Sequence, residues 1–296
     1  MNKKKIAYIR LYVWIGLVAL SLILLISLIV VGSSKGGLSK KAANLTANNS
    51  ELATKNAELE KKLNISDAPP YYQELFPDFV GNATFNFADP EEKTAYLTFD
   101  IGPTSFTPQI LDILSEHEVK ATFFIVGSNI EGNEETLNRI IAEGHTIGMR
   151  SFSNDMEEIY LSTEAFLTDF NQVFEAVVEV TGEAPTILRF PGSSINGYNS
   201  ANHQEIISEV LRRGFIYYDW NISAGDGGNR IAAQNVVNNI RNNNDDYHQA
   251  HIQLHEKENT VYALDDVITM LVEQGYKFDR LTNEVRPVIF GYPGQS

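Results

Sequence analysis

The chain has 296 residues, of which 43% are hydrophobic and 10% aromatic, enough for a sizeable buried core. Its formal net charge of -15 argues against a protein that binds nucleic acid through phosphate contacts. The absence of cysteine excludes disulfide bonds and thiolate metal sites, and it does not indicate a cellular compartment.

The N-terminal part of the chain has the pattern of a membrane anchor. Residues 1–10 form a tail with four basic residues and no acidic residue, and residues 11–31 are uncharged and mostly apolar. As a helix, residues 11–31 would span about 30 Å, the thickness of one hydrocarbon core. Because basic residues stay on the cytoplasmic side, the pattern predicts a single-pass membrane protein with its C-terminal domain extracellular. A cleaved signal peptide is the alternative, although its apolar region is usually shorter.

Residues 32–66 combine a short glycine-containing joint with a heptad pattern. Leucine recurs every seven residues at the d position, at Leu38, Leu45, Leu52 and Leu59. The facing a positions are Ala42, Asn49, Asn56 and Leu63. This pattern predicts a short coiled coil and a parallel homodimer over residues 38–63, in which asparagine at a fixes the register and lowers stability. A solvated helical spacer that does not pair is the alternative.

Residues 67–92 are predicted to be an irregular segment that leads into the next domain. Pro69 and Pro70 end the preceding helical pattern, because proline lacks the amide donor and disfavours helix at the residue before it. Six aromatic residues follow between positions 71 and 87. We expect these aromatic side chains to pack on the domain rather than bind a ligand.

From residue 93 to residue 296, strand-like and helical patterns alternate. The predicted strands are 95–100, 119–126, 145–150, 186–190, 215–221, 250–255 and 276–281. The predicted helices are 107–117, 133–143, 163–180, 202–213, 230–241 and 262–274. Such alternation is typical of an α/β fold with parallel strands and helical crossovers. We therefore expect a single (β/α) barrel of about seven strands, complete or incomplete.

Polar and charged residues stand at the C-terminal ends of the predicted strands, where such barrels place their functional groups. They are Asp100, Arg150, Asn154, Arg189, Asp219, Asp226 and His255. Together these carboxylates, guanidiniums and the imidazole form a set suited to acid–base chemistry. Each one alone is equally typical of a helix cap, a structural ion pair or a hydrogen-bonded core residue.

Five ordered motifs within residues 93–282 resemble those of the polysaccharide deacetylases of carbohydrate esterase family four, which have a NodB-type domain. The motifs are Thr98-Phe99-Asp100-Ile101-Gly102-Pro103, Gly144-His145-Thr146-Ile147-Gly148, Arg189-Phe190-Pro191-Gly192, Asp219-Trp220-Asn221 with Gly225-Asp226, and Leu254-His255-Glu256. The resemblance implies a distorted barrel with one divalent metal, commonly zinc, that polarises the acetamide carbonyl and activates water.

By position, the resemblance implies a role for each motif residue. The catalytic set is Asp100 as base, His255 as acid, Arg189 as the partner of Asp100, and Asp226 as the partner of His255. The substrate contacts are Pro191, Gly192, Trp220 and Gln253. Gln253 departs from the family, which often has a leucine lining the acetyl pocket there.

The metal site of the family does not carry over to this chain. Its three ligand positions hold Ile101, Arg150 and Asn154. An isoleucine offers no ligand atom, a guanidinium repels a cation, and an amide oxygen is a weak ligand for zinc. We therefore expect no metal and no other cofactor at this place, and we expect Arg150 to pair with Asp100 instead.

These patterns predict a membrane-anchored extracellular protein of the deacetylase family, a metal-free pseudoenzyme that binds cell-wall glycan or a partner protein. One alternative is an active N- or O-deacetylase that uses Asp100 and His255 without the metal. Loss of the metal would slow amide hydrolysis by orders of magnitude, whereas an ester is the easier substrate. The other alternative is a coiled-coil scaffold whose barrel is only a docking platform.

Overall fold

The computed structural model describes residues 46–48, 50, 52, 54, 55, 69–228 and 231–291. The chain divides into two compact units, Met1–Pro70 and Tyr71–Ser296. In the first unit, residues 46–48, 50, 52, 54 and 55 are helical, and Leu52 is 44% exposed. Among the described residues, no helix is long and apolar enough to cross a membrane. The predicted anchor at 11–31 and most of the predicted coiled coil lie outside the described residues.

The second unit is built from strands and helices that alternate along the chain. The strands are β1 Thr94–Gly102, β2 Thr122–Val126, β3 Thr146–Ser151, β4 Ile187–Leu188, β5 Ile216–Tyr217, β6 Ile222–Ser223, β7 Gln249–His255 and β8 Lys277–Phe278. The helices are α1 Thr107–Glu116, α2 Glu134–Ala142, α3 Met156–Ile159, α4 Thr163–Thr181, α5 His203–Arg212, α6 Ala233–Asn242 and α7 Glu258–Glu273. Short 3-10 helices cover Tyr71–Glu74 and Gly127–Asn129.

Seven strands form one open half-barrel in the order β5-β4-β3-β2-β1-β7-β6, and all neighbouring pairs are parallel. The eighth strand, β8, pairs with the first two residues of β1, before β2 joins that strand at Thr98. The predicted α/β fold with parallel strands is therefore confirmed. The predicted strand 215–221 is instead the short β5 alone, and β6 begins only at Ile222 because the chain leaves the sheet between them.

The central strands β1 and β7 are buried on both faces. Residues 95–99 of β1 and 250–255 of β7 are all buried. Strands that are covered on both sides have continuous apolar sequences. This explains why β1 could be predicted from the sequence. The two strands pair residue by residue from Thr94 opposite Gln249 to Asp100 opposite His255.

The segment before β1 is held against the C-terminal end of α5, chiefly by Arg213. Arg213 donates hydrogen bonds to four backbone carbonyls between residues 72 and 79, and its Nε donates to Glu209 at 2.9 Å. Beside it, Phe79 is buried against Phe215 with ring centroids 4.5 Å apart. Part of the predicted aromatic packing is therefore present, whereas Tyr71 and Phe85 remain exposed.

His251 has a fully buried imidazole that forms no hydrogen bond with any described residue. It is 0% exposed, and its ring lies 4.9 Å from that of Tyr96 and 5.9 Å from that of Tyr218. Burial, with a further contribution from the positive charge of Arg189, lowers the pKa of His251 to about 3. This histidine is therefore held neutral inside the half-barrel.

We expect His251→Leu to flatten the acid side of the stability profile. The pKa of His251 is lower in the folded protein than the ordinary 6.5, so the stability contribution is complete above pH 6.5 and is lost as the pH falls toward 3. The measurement is the free energy of unfolding in urea between pH 4 and pH 7. The exposed His248→Gln serves as the control and should keep the wild-type slope; equal slopes for all three proteins would contradict the prediction.

Candidate functional site

The candidate site lies where the central strands end. The pairing of β1 with β7 puts Asp100 opposite His255, since these residues are the last pair of the ladder. Arg150 is the fifth residue of β3, and Arg189 directly follows β4. Parallel strands end at the same edge of the sheet, so four residues from four strands converge there.

Asp100 is a fully buried carboxylate surrounded by donors. Its Oδ1 accepts from Arg189 Nη1 at 2.9 Å, and its Oδ2 accepts from Arg150 Nη1 and from Gln253 Nε2, both at 3.0 Å. Burial by itself would raise the pKa of Asp100, but the charges of Arg189 and Arg150 outweigh it and hold this pKa below its usual value. Asp100 is therefore ionised, and both of its oxygens are already engaged.

Arg189 is fixed from every side. Its Nη1 also donates to Thr98 Oγ1 at 2.7 Å, and its Nε and Nη2 donate to the backbone carbonyls of Tyr218 and Asp219. The guanidinium lies 4.2 Å above the ring of Phe124, an arrangement that favours a cation. These contacts fix the Arg189 guanidinium beside Asp100.

His255 and Asp226 form a second pair in the site. Asp226 Oδ1 lies 2.9 Å from His255 Nδ1, and Asp226 Oδ2 accepts from the His255 amide at 2.9 Å and from Thr260 Oγ1 at 2.6 Å. A Cβ at Gly227 would come within 2.7 Å of the imidazole, so the ring needs a glycine there. With Nδ1 held by the carboxylate, Nε2 is the nitrogen available to a ligand.

Ile101 and Asn154, two of the three replaced positions, have left-handed backbone conformations. Ile101 has φ 72° and Asn154 has φ 58°. Asparagine and aspartate tolerate this region, whereas a β-branched residue is a genuine outlier in it. The backbone at Ile101 therefore has the shape that an aspartate would adopt more easily, at a bulge where the register of β1 shifts.

The residues present do not fit the metal of the family. Arg150 points its Nη1 at Asp100, and Ile101 offers only its backbone carbonyl, which accepts from Asn129 Nδ2 at 3.0 Å. In the described part of the chain, no group of three or more His, Cys, Asp or Glu side chains is placed to hold a metal ion. The guanidinium of Arg150 thus puts a fixed positive charge beside the carboxylate.

The predicted substrate residues divide into three kinds. The Pro191 carbonyl accepts from Tyr160 Oη at 2.8 Å, and Gly192 has φ 73°, so these two residues shape the loop. Trp220 is half-buried, 5.6 Å from the Arg189 guanidinium. Gln253 does not line an acetyl pocket with an apolar side chain, because its amide donates to Asp100.

Asp219 has a structural position rather than one among the reacting groups. Its carboxylate accepts from the Ser194 amide and from the Phe290 amide, both at 2.8 Å, and from the Ser194 hydroxyl. Asp219 therefore joins the loop after β4 to the C-terminal segment. Phe290 in turn packs against Trp220 with ring centroids 5.0 Å apart.

Glu256 directly follows His255 and is a buried acid to which the family motifs assign no role. Its Oε2 accepts from Thr107 Oγ1 and from the Thr104 amide, while its buried Oε1 has no partner among the described residues. A Cβ at Gly102 would come within 1.8 Å of Oε1, so this glycine leaves room for the acid. Burial raises the pKa of Glu256 to about 7, and the charge of Asp100 adds to the effect.

The comparisons with known proteins agree with this geometry. The family model for polysaccharide deacetylase matches residues 87–208. The catalytic domain of a peptidoglycan N-acetylglucosamine deacetylase from Eubacterium rectale has 31% sequence identity and a TM-score of 0.67, and the match covers 71% of this chain and 97% of that one. This chain belongs to the polysaccharide deacetylase family.

Other members of the family differ in their described activity. A peptidoglycan-N-acetylglucosamine deacetylase from Bacillus cereus is 29% identical over 207 residues, which cover 68% of this chain and 74% of the relative. The fold is also similar to that of a CE4 family pseudoenzyme from Bacillus anthracis, with 22% identity, a TM-score of 0.57 and coverage of 66% of each chain. At 22% identity, the similarity to the pseudoenzyme shows a shared fold and nothing about activity.

We expect Glu256→Gln to stabilise the protein at alkaline pH relative to the wild type. The pKa of Glu256 is about 7 in the folded protein and 4.5 ordinarily, so its contribution is complete below pH 4.5 and is lost as the pH rises through 7. The difference in unfolding free energy should change by on the order of 3 kcal/mol between pH 4.5 and pH 8.

The check on Glu256→Gln is urea unfolding at several pH values, with the variant compared to the wild type so that other titrating groups cancel. Glu116→Gln, at an exposed position in α1, is the matched control and should leave the profile unchanged. A constant difference between Glu256→Gln and the wild type across this range would show that Glu256 titrates normally.

Proposed function

We propose that this member of the polysaccharide deacetylase family is a pseudoenzyme that binds cell-wall glycan and lacks metal-dependent deacetylation. The observation that carries the proposal is the contact of Arg150 Nη1 with Asp100 Oδ2 at 3.0 Å. By the family motif, Arg150 stands at a metal-ligand position. A guanidinium at that position repels a divalent cation and engages the carboxylate that would act as base.

The state of Asp100 supports this proposal. A general base must accept a proton from the attacking water, and it works best when its pKa lies near the working pH. Both oxygens of Asp100 already accept hydrogen bonds from charged or amide donors, and its pKa is held below the ordinary value. Asp100 is therefore a weak base, and each of its oxygens is already hydrogen-bonded.

One observation favours a second candidate function, hydrolysis of an ester without a metal. The pairing of His255 with Asp226 keeps the geometry expected of a general acid–base pair. An acetate ester is easier to hydrolyse than an acetamide. The His255–Asp226 pair alone should therefore hydrolyse the ester faster than the amide. Turnover of a chromogenic acetate ester that is lost in His255→Ala and insensitive to chelator would support this second function.

The glycan and the location of the protein are part of the proposal. Relatives from Bacillus cereus and Eubacterium rectale are named peptidoglycan N-acetylglucosamine deacetylases, which makes peptidoglycan the first ligand to test. The basic tail and apolar run over residues 1–31 support a single-pass anchor in the cell membrane with the domain outside. In that arrangement the glycan-binding domain faces the wall polymer.

The principal test restores the metal ligands. We expect the full chain purified in detergent to contain no stoichiometric zinc, and the triple variant Ile101→Asp, Arg150→His, Asn154→His to bind zinc. The variant should then release acetate from an N-acetylglucosamine oligomer, because the three ligands of the family are present again. Metal content by mass spectrometry and acetate release are the two measurements.

The single variant Ile101→Asp is the control for the triple change, since it keeps the guanidinium of Arg150 in place and should bind no zinc. Stoichiometric zinc in the wild type, or chelator-sensitive deacetylation by it, would overturn the pseudoenzyme proposal. A triple variant that folds without gaining zinc would show that the backbone around the site has also moved away from the family geometry.

We further propose that the heptad pattern over residues 38–63 makes the protein a parallel dimer. Leu52, at a d position, is 44% exposed in a single chain, so a partner helix would cover it. We expect Leu52→Glu to convert the dimer to a monomer in sedimentation experiments on the full chain in detergent. The neighbouring change Glu51→Gln, at a c position outside the seam, should leave the dimer intact; a monomeric wild type would refute the pairing.

A further inference from the structure

Arg150 is an almost fully buried cation with an incomplete set of partners. It is 7% exposed, its Nε is buried without a hydrogen-bond partner, and no described residue accepts from its Nη2. Buried donors in folded proteins are nearly always paired, and an unpaired one costs free energy. The Nε–Nη2 side of a guanidinium is also the side that binds a carboxylate through two parallel hydrogen bonds.

The charges in direct contact with Arg150 leave it undercompensated. Asp100 is the one carboxylate of the described residues within ion-pair distance of Arg150. Arg189 binds the same carboxylate through its other oxygen at 2.9 Å. Two guanidiniums therefore share a single negative charge at the centre of the site.

The neighbouring acids are engaged elsewhere. Asp226 is held by His255, and Asp219 accepts from two backbone amides and a hydroxyl. Glu256 faces the turn after β1 and accepts from two threonines there. None of these three acids forms an ion pair with Arg150 in the described part of the chain, so the Nε–Nη2 side of its guanidinium has no acceptor among the described residues.

We propose that Arg150 binds a carboxylate carried by the glycan, so that the site recognises an acidic sugar rather than a neutral acetamide. This inference rests on the proposed glycan-binding function and narrows its ligand class. The half-buried Trp220 lies close to the same centre, 5.6 Å from the Arg189 guanidinium, and in this arrangement its solvent-facing part contacts the sugar ring. The guanidinium that removes the metal thus creates a site for an anion.

The test titrates the full chain in detergent by calorimetry with N-acetylmuramic acid and with its carboxamide, which differ only in the charged group. Sodium acetate is titrated as well, to separate a carboxylate on a sugar from a free one. The variants are Arg150→Gln, which leaves Asp100 paired with Arg189, and Arg241→Gln, an exposed arginine of α6 that serves as the control.

We expect the wild type and Arg241→Gln to bind the acidic sugar about tenfold more tightly than the carboxamide, and Arg150→Gln to bind both alike. Equal affinity of the wild type for the two sugars would overturn the inference even if Arg150→Gln failed to fold, and an unchanged preference in Arg150→Gln would also overturn it. Binding of acetate but of neither sugar would support a carboxylate site at Arg150 and contradict glycan binding. Equal, measurable binding of both sugars would support glycan binding and contradict the carboxylate site.

Discussion

Asp100 is a carboxylate without solvent exposure whose two oxygens are held by two different arginines. Buried charges are stable only when they are paired and hydrogen-bonded, and removing one partner of such a pair costs about 3–5 kcal/mol. This constraint links the ends of three strands, because Asp100 lies on β1, Arg150 on β3 and Arg189 just after β4. The geometry of the whole site depends on keeping that charge compensated.

The register between β1 and β7 places the His255–Asp226 pair next to Asp100. Opposite Asp100 in the ladder stands His255, which is oriented by Asp226. The bulge at Ile101 shifts the register of β1 against β2, and Gly102, the next residue, lies against the Glu256 carboxylate. The site thus keeps the charged residues of the family framework, while the guanidinium of Arg150 stands at a metal-ligand position of the family and contacts Asp100.

Much of this organisation was predictable from the sequence. Double burial of β1 produced a continuous apolar run, and its end at Asp100 located the site. The motifs placed Arg189, Asp226 and His255 at strand ends because parallel strands share one edge. The contact of Arg150 with Asp100 was expected from the loss of the metal ligands, and the distance of 3.0 Å agrees with it.

The sequence by itself determined the alternation of strands and helices, the family motifs and the replacement of three ligand positions, because each is a local pattern of residue types. Only the tertiary structure decided what distant side chains do. Gln253 turned out to donate to Asp100, Asp219 to join two loops, and Glu256 to be a buried acid with a raised pKa. Those roles depend on burial and on partners far apart in the chain. The spacing of residues in the sequence predicts neither of these.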